Sequence, residues 1–248
     1  MKHKEVAIQL KDRQILNPED DLYGQALYDY YKGVHVGDLC INTSYGDVEE
    51  MPPEVFFRDF DDFPVLEAIA LEHCRGKVLD VGAGTGCHSL ILQDKGLDVK
   101  PIDISPYCVK IMHARGIEQV DQTDFFSIRH QKFNTILLLM NGLGLVGKIK
   151  NMPNFLSHCK KLLEPGGQIL LDSSDVNYLT EEYKIKSTGQ YIGEISYQYV
   201  YKNNKGPWFD WLYLEKARLQ EISEKEGWRV EFLFEDENDQ YLASLTKE

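Results

Sequence analysis

The chain has no apolar run approaching the ~18 residues of a membrane span. Its start, Met1-Lys-His-Lys-Glu-Val6, lacks the apolar core of a secretion signal. A cytoplasmic protein is the expectation. Positive charge is also scarce: 27 Lys and Arg stand against 40 Asp and Glu, a net charge of −13. Nucleic-acid binding needs a basic face to displace phosphate counterions. Only Lys148/Lys150 and Lys160-Lys161 form basic clusters, and these read as a solvated helix face. A nucleic-acid partner is therefore disfavoured. The five cysteines (Cys40, Cys74, Cys87, Cys108 and Cys159) are scattered and include no CxxC pair. That excludes a disulfide framework and a zinc site, so no metal is expected. Internal repeats, low-complexity tracts and long linkers are absent as well.

What remains is ample for a core. The 248 residues are 43% hydrophobic and 11% aromatic, enough for one large α/β domain or a domain with a cap. The chain is organised around Lys77-Val-Leu-Asp-Val81, a short apolar run that reads as a buried parallel strand. Gly82, Gly84 and Gly86 follow at alternate positions, and an apolar helix begins near Ser89. A strand that bends on three glycines into a helix leaves a pocket with little side chain in it. A ligand can approach such a backbone closely, and free N–H groups of the helix's first turn favour an anionic group. Seventeen residues beyond Gly86, Val99-Lys-Pro-Ile-Asp-Ile104 puts Asp103 near the end of a second strand. A carboxylate there suits the two hydroxyls of a ribose.

Downstream, strand and helix patterns alternate. A helix is expected from about His88 to Lys95 and a strand over Asp98–Asp103. A helix capped by Ser105-Pro106 then runs to His113, and Gly116–Val120 is a short strand candidate. Lys132–Met140 reads as a buried strand, Lys148–Leu163 as a helix and Gln168–Asp172 as a fifth strand. Alternation of this kind implies a parallel sheet with right-handed crossovers. The pattern breaks over residues 175–211, where Tyr197, Tyr199, Trp208, Phe209 and Trp211 mark an inserted β-hairpin. Leu214–Gly227 resumes as a helix, and Trp228–Phe234 and Gln240–Thr246 form a closing hairpin. Ahead of the first strand, Leu22–Tyr31 carries a helical apolar stripe after the acidic start Pro18-Glu-Asp-Asp21.

The glycine turn, Asp103, Pro165-Gly-Gly167 before an apolar strand and the C-terminal hairpin together resemble the class I methyltransferases that use S-adenosylmethionine. The resemblance covers roughly residues 60–173 and 212–248. It implies an α/β fold: a doubly wound, seven-stranded, mostly parallel sheet with a C-terminal antiparallel hairpin. An N-terminal cap segment would span 1–60, and residues 61–248 would form the S-adenosylmethionine-binding domain with the hairpin inserted at about 175–211. The spacing also speaks against the dinucleotide fingerprint GxGxxG, since the third glycine comes one position early and Cys87 stands in its place.

By the same resemblance, Gly82, Ala83, Gly84 and Gly86 line the methionine part of the cofactor, and Asp80 takes its amino group. Asp103 accepts from the ribose, Asp124 meets the adenine amino group, and Phe125 and Ile104 cover the purine. Asn141 and Gly142 lie where the methyl group leaves. Arg58 either meets the cofactor carboxylate or pairs with Asp59 or Asp61. Candidate bases are His88, Asp175 and His35. Asn141-Gly-Leu-Gly144 lacks the Asn/Asp-Pro-Pro-aromatic pattern of enzymes that methylate exocyclic amines of bases or glutamine amides. The expected activity is methyl transfer to a small-molecule acceptor, leaving S-adenosylhomocysteine. A non-catalytic S-adenosylmethionine-binding module and a nicotinamide-dependent oxidoreductase stand as alternatives.

Overall fold

The computed structural model describes residues 15–34, 37–46, 48–179 and 190–247. Helix α1 (Leu22–Tyr31) opens at Asp21, whose carboxylate accepts from the Gly24 N–H at 2.9 Å and so satisfies a first-turn donor. Strands β1 (Cys40–Thr43) and β2 (Val48–Glu50) follow, then helix α2 (Val65–His73). The regular alternation comprises β3 (Lys77–Val81), α3 (Cys87–Asp94), β4 (Asp98–Asp103), α4 (Pro106–Ala114), β5 (Asp121–Gln122), β6 (Phe133–Leu138), α5 (Met152–Leu162) and β7 (Leu163–Ser174). The insertion supplies β8 (Glu194–Tyr201), β9 (Asn204–Lys205) and β10 (Phe209–Leu212). Helix α6 (Lys216–Lys225), β11 (Trp228–Glu235) and β12 (Gln240–Lys247) close the chain.

Seven strands form the main sheet in the order β11-β12-β7-β6-β3-β4-β5. Pairs from β7 to β5 are parallel, and β12 runs antiparallel to both its neighbours. The two faces are buried separately. One face packs β6 and β7 side chains such as Ile136 and Ile169 against Phe155 and Leu219, and the other packs Val78 and Leu170 against Leu66 and Leu92. Strands buried on both faces explain why β6 and β7 read as continuous apolar runs.

Two local expectations shift. The third-strand candidate Gly116–Val120 is not a strand, because Ile117 and Val120 are drawn down against Met112, and pairing with β4 begins at Asp121. Helix α5 starts at Met152 after a short 3₁₀ turn, since Pro153 lacks an N–H and fits only a first helical turn.

A second sheet, antiparallel throughout, joins distant parts of the chain in the order β10-β8-β1-β2, with β9 on β8. The N-terminal segment and the aromatic insertion thus share one cap. Cys40 lies opposite Val200 and Thr43 opposite Tyr197. No helix among the described residues is long and apolar enough to cross a membrane.

Candidate functional site

The site begins at the bend after β3. Gly82, Gly84 and Gly86 all adopt left-handed φ angles, of +69°, +57° and +84°. The bend's donors are used internally: Gly82 and Ala83 donate to the Ile102 carbonyl, and Gly86 donates to Ala83. What the bend offers is space. A Cβ on Gly82 would meet nothing within 4 Å, and one on Gly84 would lie 3.7 Å from the Tyr23 hydroxyl. Gly86 has a different duty, because a Cβ there would strike Ile117 at 2.2 Å and Met112 at 2.9 Å.

Asp103 overlooks this opening from the end of β4. Its two oxygens accept from the Gly84 N–H at 2.9 Å and the Ser105 N–H at 2.8 Å. Burial pushes its carboxyl up to about 6, although both N–H groups pull the other way. Burial also raises Asp80, which accepts from the Ser89 hydroxyl at 2.6 Å, and Asp21, which accepts from the Ser105 hydroxyl at 2.5 Å. Asp172, wholly buried at the end of β7, is pushed up to about 6 by burial. It accepts from the Gly142 N–H at 3.3 Å and from Gln240 at 3.1 Å. None of these four carboxylates joins an ion pair with a described residue. Four desolvated acids that form no ion pair with a described residue, three on sheet strands and Asp21 beside them at the start of α1, make an environment that favours a positively charged ligand.

The opposite wall comes from the cap. Tyr23 of α1 stands edge-on to Phe56 at 5.3 Å and stacks on Tyr199 of β8 at 5.1 Å. Thr85 and Cys87 both donate to the Phe56 carbonyl, which ties this segment to the glycine bend. Trp211 of β10 donates its indole N–H to the Asn141 carbonyl at 3.1 Å. Its ring lies so close to Gly144 that any Cβ there would overlap it, at 1.9–2.2 Å. Met140 and Asn141 themselves take left-handed φ angles of +61° and +56°, uncommon for residues other than glycine and frequent at functional turns. Beside Asn141 opens a cavity of about 560 Å³, bounded by the cap sheet, the end of β7 and the β11–β12 turn.

A methyltransferase-domain family matches residues 62–228, more than half of the chain. A solved S-adenosylmethionine-dependent methyltransferase of Bacteroides fragilis, in complex with S-adenosyl-L-homocysteine, is 40% identical. It superposes with a TM-score of 0.86, covering 94% of this chain and 98% of that one. The chain belongs to the S-adenosylmethionine-dependent methyltransferases of class I. A ubiquinone biosynthesis O-methyltransferase of Xylella fastidiosa is 26% identical over 182 residues, 67% of this chain and 72% of that protein. A glycine/sarcosine N-methyltransferase of Parasynechococcus marenigrum is 30% identical over 118 residues, and the match spans 42% of its length. Together with the β11–β12 hairpin, these matches set aside a nicotinamide-dependent oxidoreductase.

In the methyltransferase, Asp80, Ala83, Gly84, Asp103 and Asn141 gather at the C-terminal ends of β3, β4 and β6, where ligands of open α/β sheets bind. Ile104 is 37% exposed at the same end, with its carbonyl accepting from Leu16 and Gln122. Asp124 caps the short turn after β5, accepting from the Phe126 N–H at 3.2 Å.

Four expectations need correction. Phe125 does not present its ring to a purine, because the ring is buried against Phe155 and His158. Gly86 serves the packing of the bend on Met112 and Ile117. Arg58 pairs with neither Asp59 nor Asp61; its Nη2 is held by Glu67 at 2.9 and 3.0 Å and its Nε by the Val55 carbonyl. His88 is not an available base. It is 7% exposed, packed on Phe63, and its Nε2 lies 2.6 Å from Glu67. Burial opposes ionisation of Glu67, yet His88 and Arg58 together hold its carboxyl below the usual range. Asp175 lines the cavity beside Asn141. His35 lies outside the described residues.

Sequence inspection missed Asp172, Glu67, Tyr23 and the Trp211–Gly144 contact. Asp172 had a signal, since it lies towards the C-terminal end of an apolar strand as Asp80 and Asp103 do. The other three depend on contacts between separate elements.

Proposed function

We propose that the chain transfers a methyl group from S-adenosylmethionine to a small-molecule acceptor in the cavity beside Asn141. Asp103 holds the ribose hydroxyls, Asp80 the amino group, and the backbone of Gly82, Ala83 and Gly84 lines the methionine part. Asp124 and Ile104 border the adenine, and Asn141 and Gly142 face the reacting carbon. The carrying observation is Asp103, locked by the Gly84 and Ser105 N–H groups above an open glycine bend. Arg58 serves the carboxylate end: among the described residues, the partners of its guanidinium engage Nε and Nη2, and Nη1 has none.

When bound, the donor supplies an electrophilic methyl group and leaves as a neutral thioether. The chain's task is to orient the partners and exclude water, and proximity of this kind supplies roughly 7–11 kcal/mol of barrier reduction. Tyr23, Tyr199 and Trp211 provide the dry wall, and Asp175 is positioned to accept a proton from the acceptor. A small acceptor fits the bounded cavity and the acidic composition. Five free cysteines fit a reducing cytoplasm.

Calorimetric titration with S-adenosylhomocysteine tests the assignment. Wild-type protein binds, and Asp103→Ala weakens binding roughly 10- to 100-fold, the loss of hydrogen bonds to a charged group. Unchanged affinity in the variant removes Asp103 from the ribose.

A further inference from the structure

We infer that the acceptor is an aliphatic primary or secondary amine on an apolar body, so that the enzyme is an N-methyltransferase of alkylamines. The inference rests on the methyl-transfer function proposed above and names its substrate class. An acceptor must reach the carbon beside Asn141, and the cavity of about 560 Å³ opens at that residue. Its rim carries four carboxylates, Glu49, Asp175, Asp236 and Asp239, and among its described lining residues there is no Lys, Arg or His. None of the four is ion-paired with a described residue. The acids come from three separate places: β2, the residue after β7, and the β11–β12 turn, which supplies both Asp236 and Asp239. Their negative charge is therefore a property of the cavity and not of one acidic stretch.

The walls fit the same guest. Tyr178, Tyr197 and Tyr213 line the cavity, aromatic side chains of the kind that can hold a cation, and the Tyr197 and Tyr213 hydroxyls bond each other at 3.0 Å. Val176, Leu179 and Ile195 add an apolar patch for the body that carries the nitrogen. A phenolate, thiolate or carboxylate acceptor would enter against four like charges.

The chemistry points the same way. The ammonium first gives a proton to the Asp175 carboxylate, which passes it to water. The nitrogen lone pair then forms the new N–C bond while the C–S bond breaks and its electron pair stays on sulfur. Positive charge thus moves from sulfur to a nitrogen that the carboxylates surround, and the product leaves as a methylammonium.

The test uses full-length protein saturated with S-adenosylhomocysteine and titrates three probes of one shape: 2-phenylethylamine, 2-phenylethanol and phenylacetate. The amine is expected to bind at least tenfold tighter than the alcohol, with phenylacetate weakest. In the Glu49→Gln/Asp175→Asn double variant this preference falls to threefold or less. The inference is overturned if wild type shows no tenfold preference for the amine, or if a folded double variant keeps it. Loss of S-adenosylhomocysteine binding in wild type is read separately and overturns the proposed function instead.

Discussion

Asp103 meets two opposed demands. Its carboxylate suits a ribose, yet burial pushes it up to about 6, well above the range of an exposed aspartate. Between about pH 4 and pH 6 the folded state therefore holds a proton that the unfolded chain has released. Raising the pH through that window removes stability, and above it the folded protein carries the full penalty of a buried charge. Asp103→Asn escapes the penalty. Its stability relative to wild type, without ligand, should improve by about 1–2 kcal/mol between pH 5 and pH 8. Thermal unfolding at the two pH values measures this, and a difference that is flat or of opposite sign contradicts it. On the proposed ribose role the same substitution should weaken cofactor binding, which would make Asp103 a case of function held at the expense of stability.

At the scale of elements, the decisive contact is the docking of β10 on the turn that follows β6. Trp211 bonds the Asn141 carbonyl and covers Gly144, where no other residue leaves room for the indole. Lys148 and Asp210 add an ion pair at 3.2 Å beside it. Gly144→Ala forces either the ring or the turn to move, and overpacking of this kind costs about 1–3 kcal/mol. Denaturant unfolding followed by tryptophan fluorescence should show that loss. Methyl transfer should fall more steeply than S-adenosylhomocysteine affinity if, as proposed, this turn faces the reacting carbon and not the ribose. Wild-type stability in the variant would mean that β10 does not bear on the turn.

Across the whole molecule, the cap couples segments far apart in the chain. Asn42 of β1 bonds Gln198 of β8 at 3.0 Å across 156 residues, and Tyr23 bridges this sheet to the glycine bend. A ligand gripped between bend and cap should therefore order both. With S-adenosylhomocysteine bound, amide exchange should slow over residues 40–50 and 194–212 as well as 80–84. Unfolding should rise by about 2.7 kcal/mol at a hundredfold excess over Kd. Protection confined to the bend would show that the cap is not part of the binding unit.

The seven-stranded core was legible because its rules are local. Apolar runs, a Ser105-Pro106 helix start, left-handed glycines and strand-end carboxylates express steric and burial preferences within a few residues. The sequence by itself determined the alternation, the bend and the position of Asp103. Tertiary structure alone decided that Glu67 takes Arg58 and buries His88, that Phe125 turns inward, and that the N-terminal segment and insertion close one cavity. Those outcomes depend on which distant side chains compete for the same space and charge, and local periodicity carries no record of that competition.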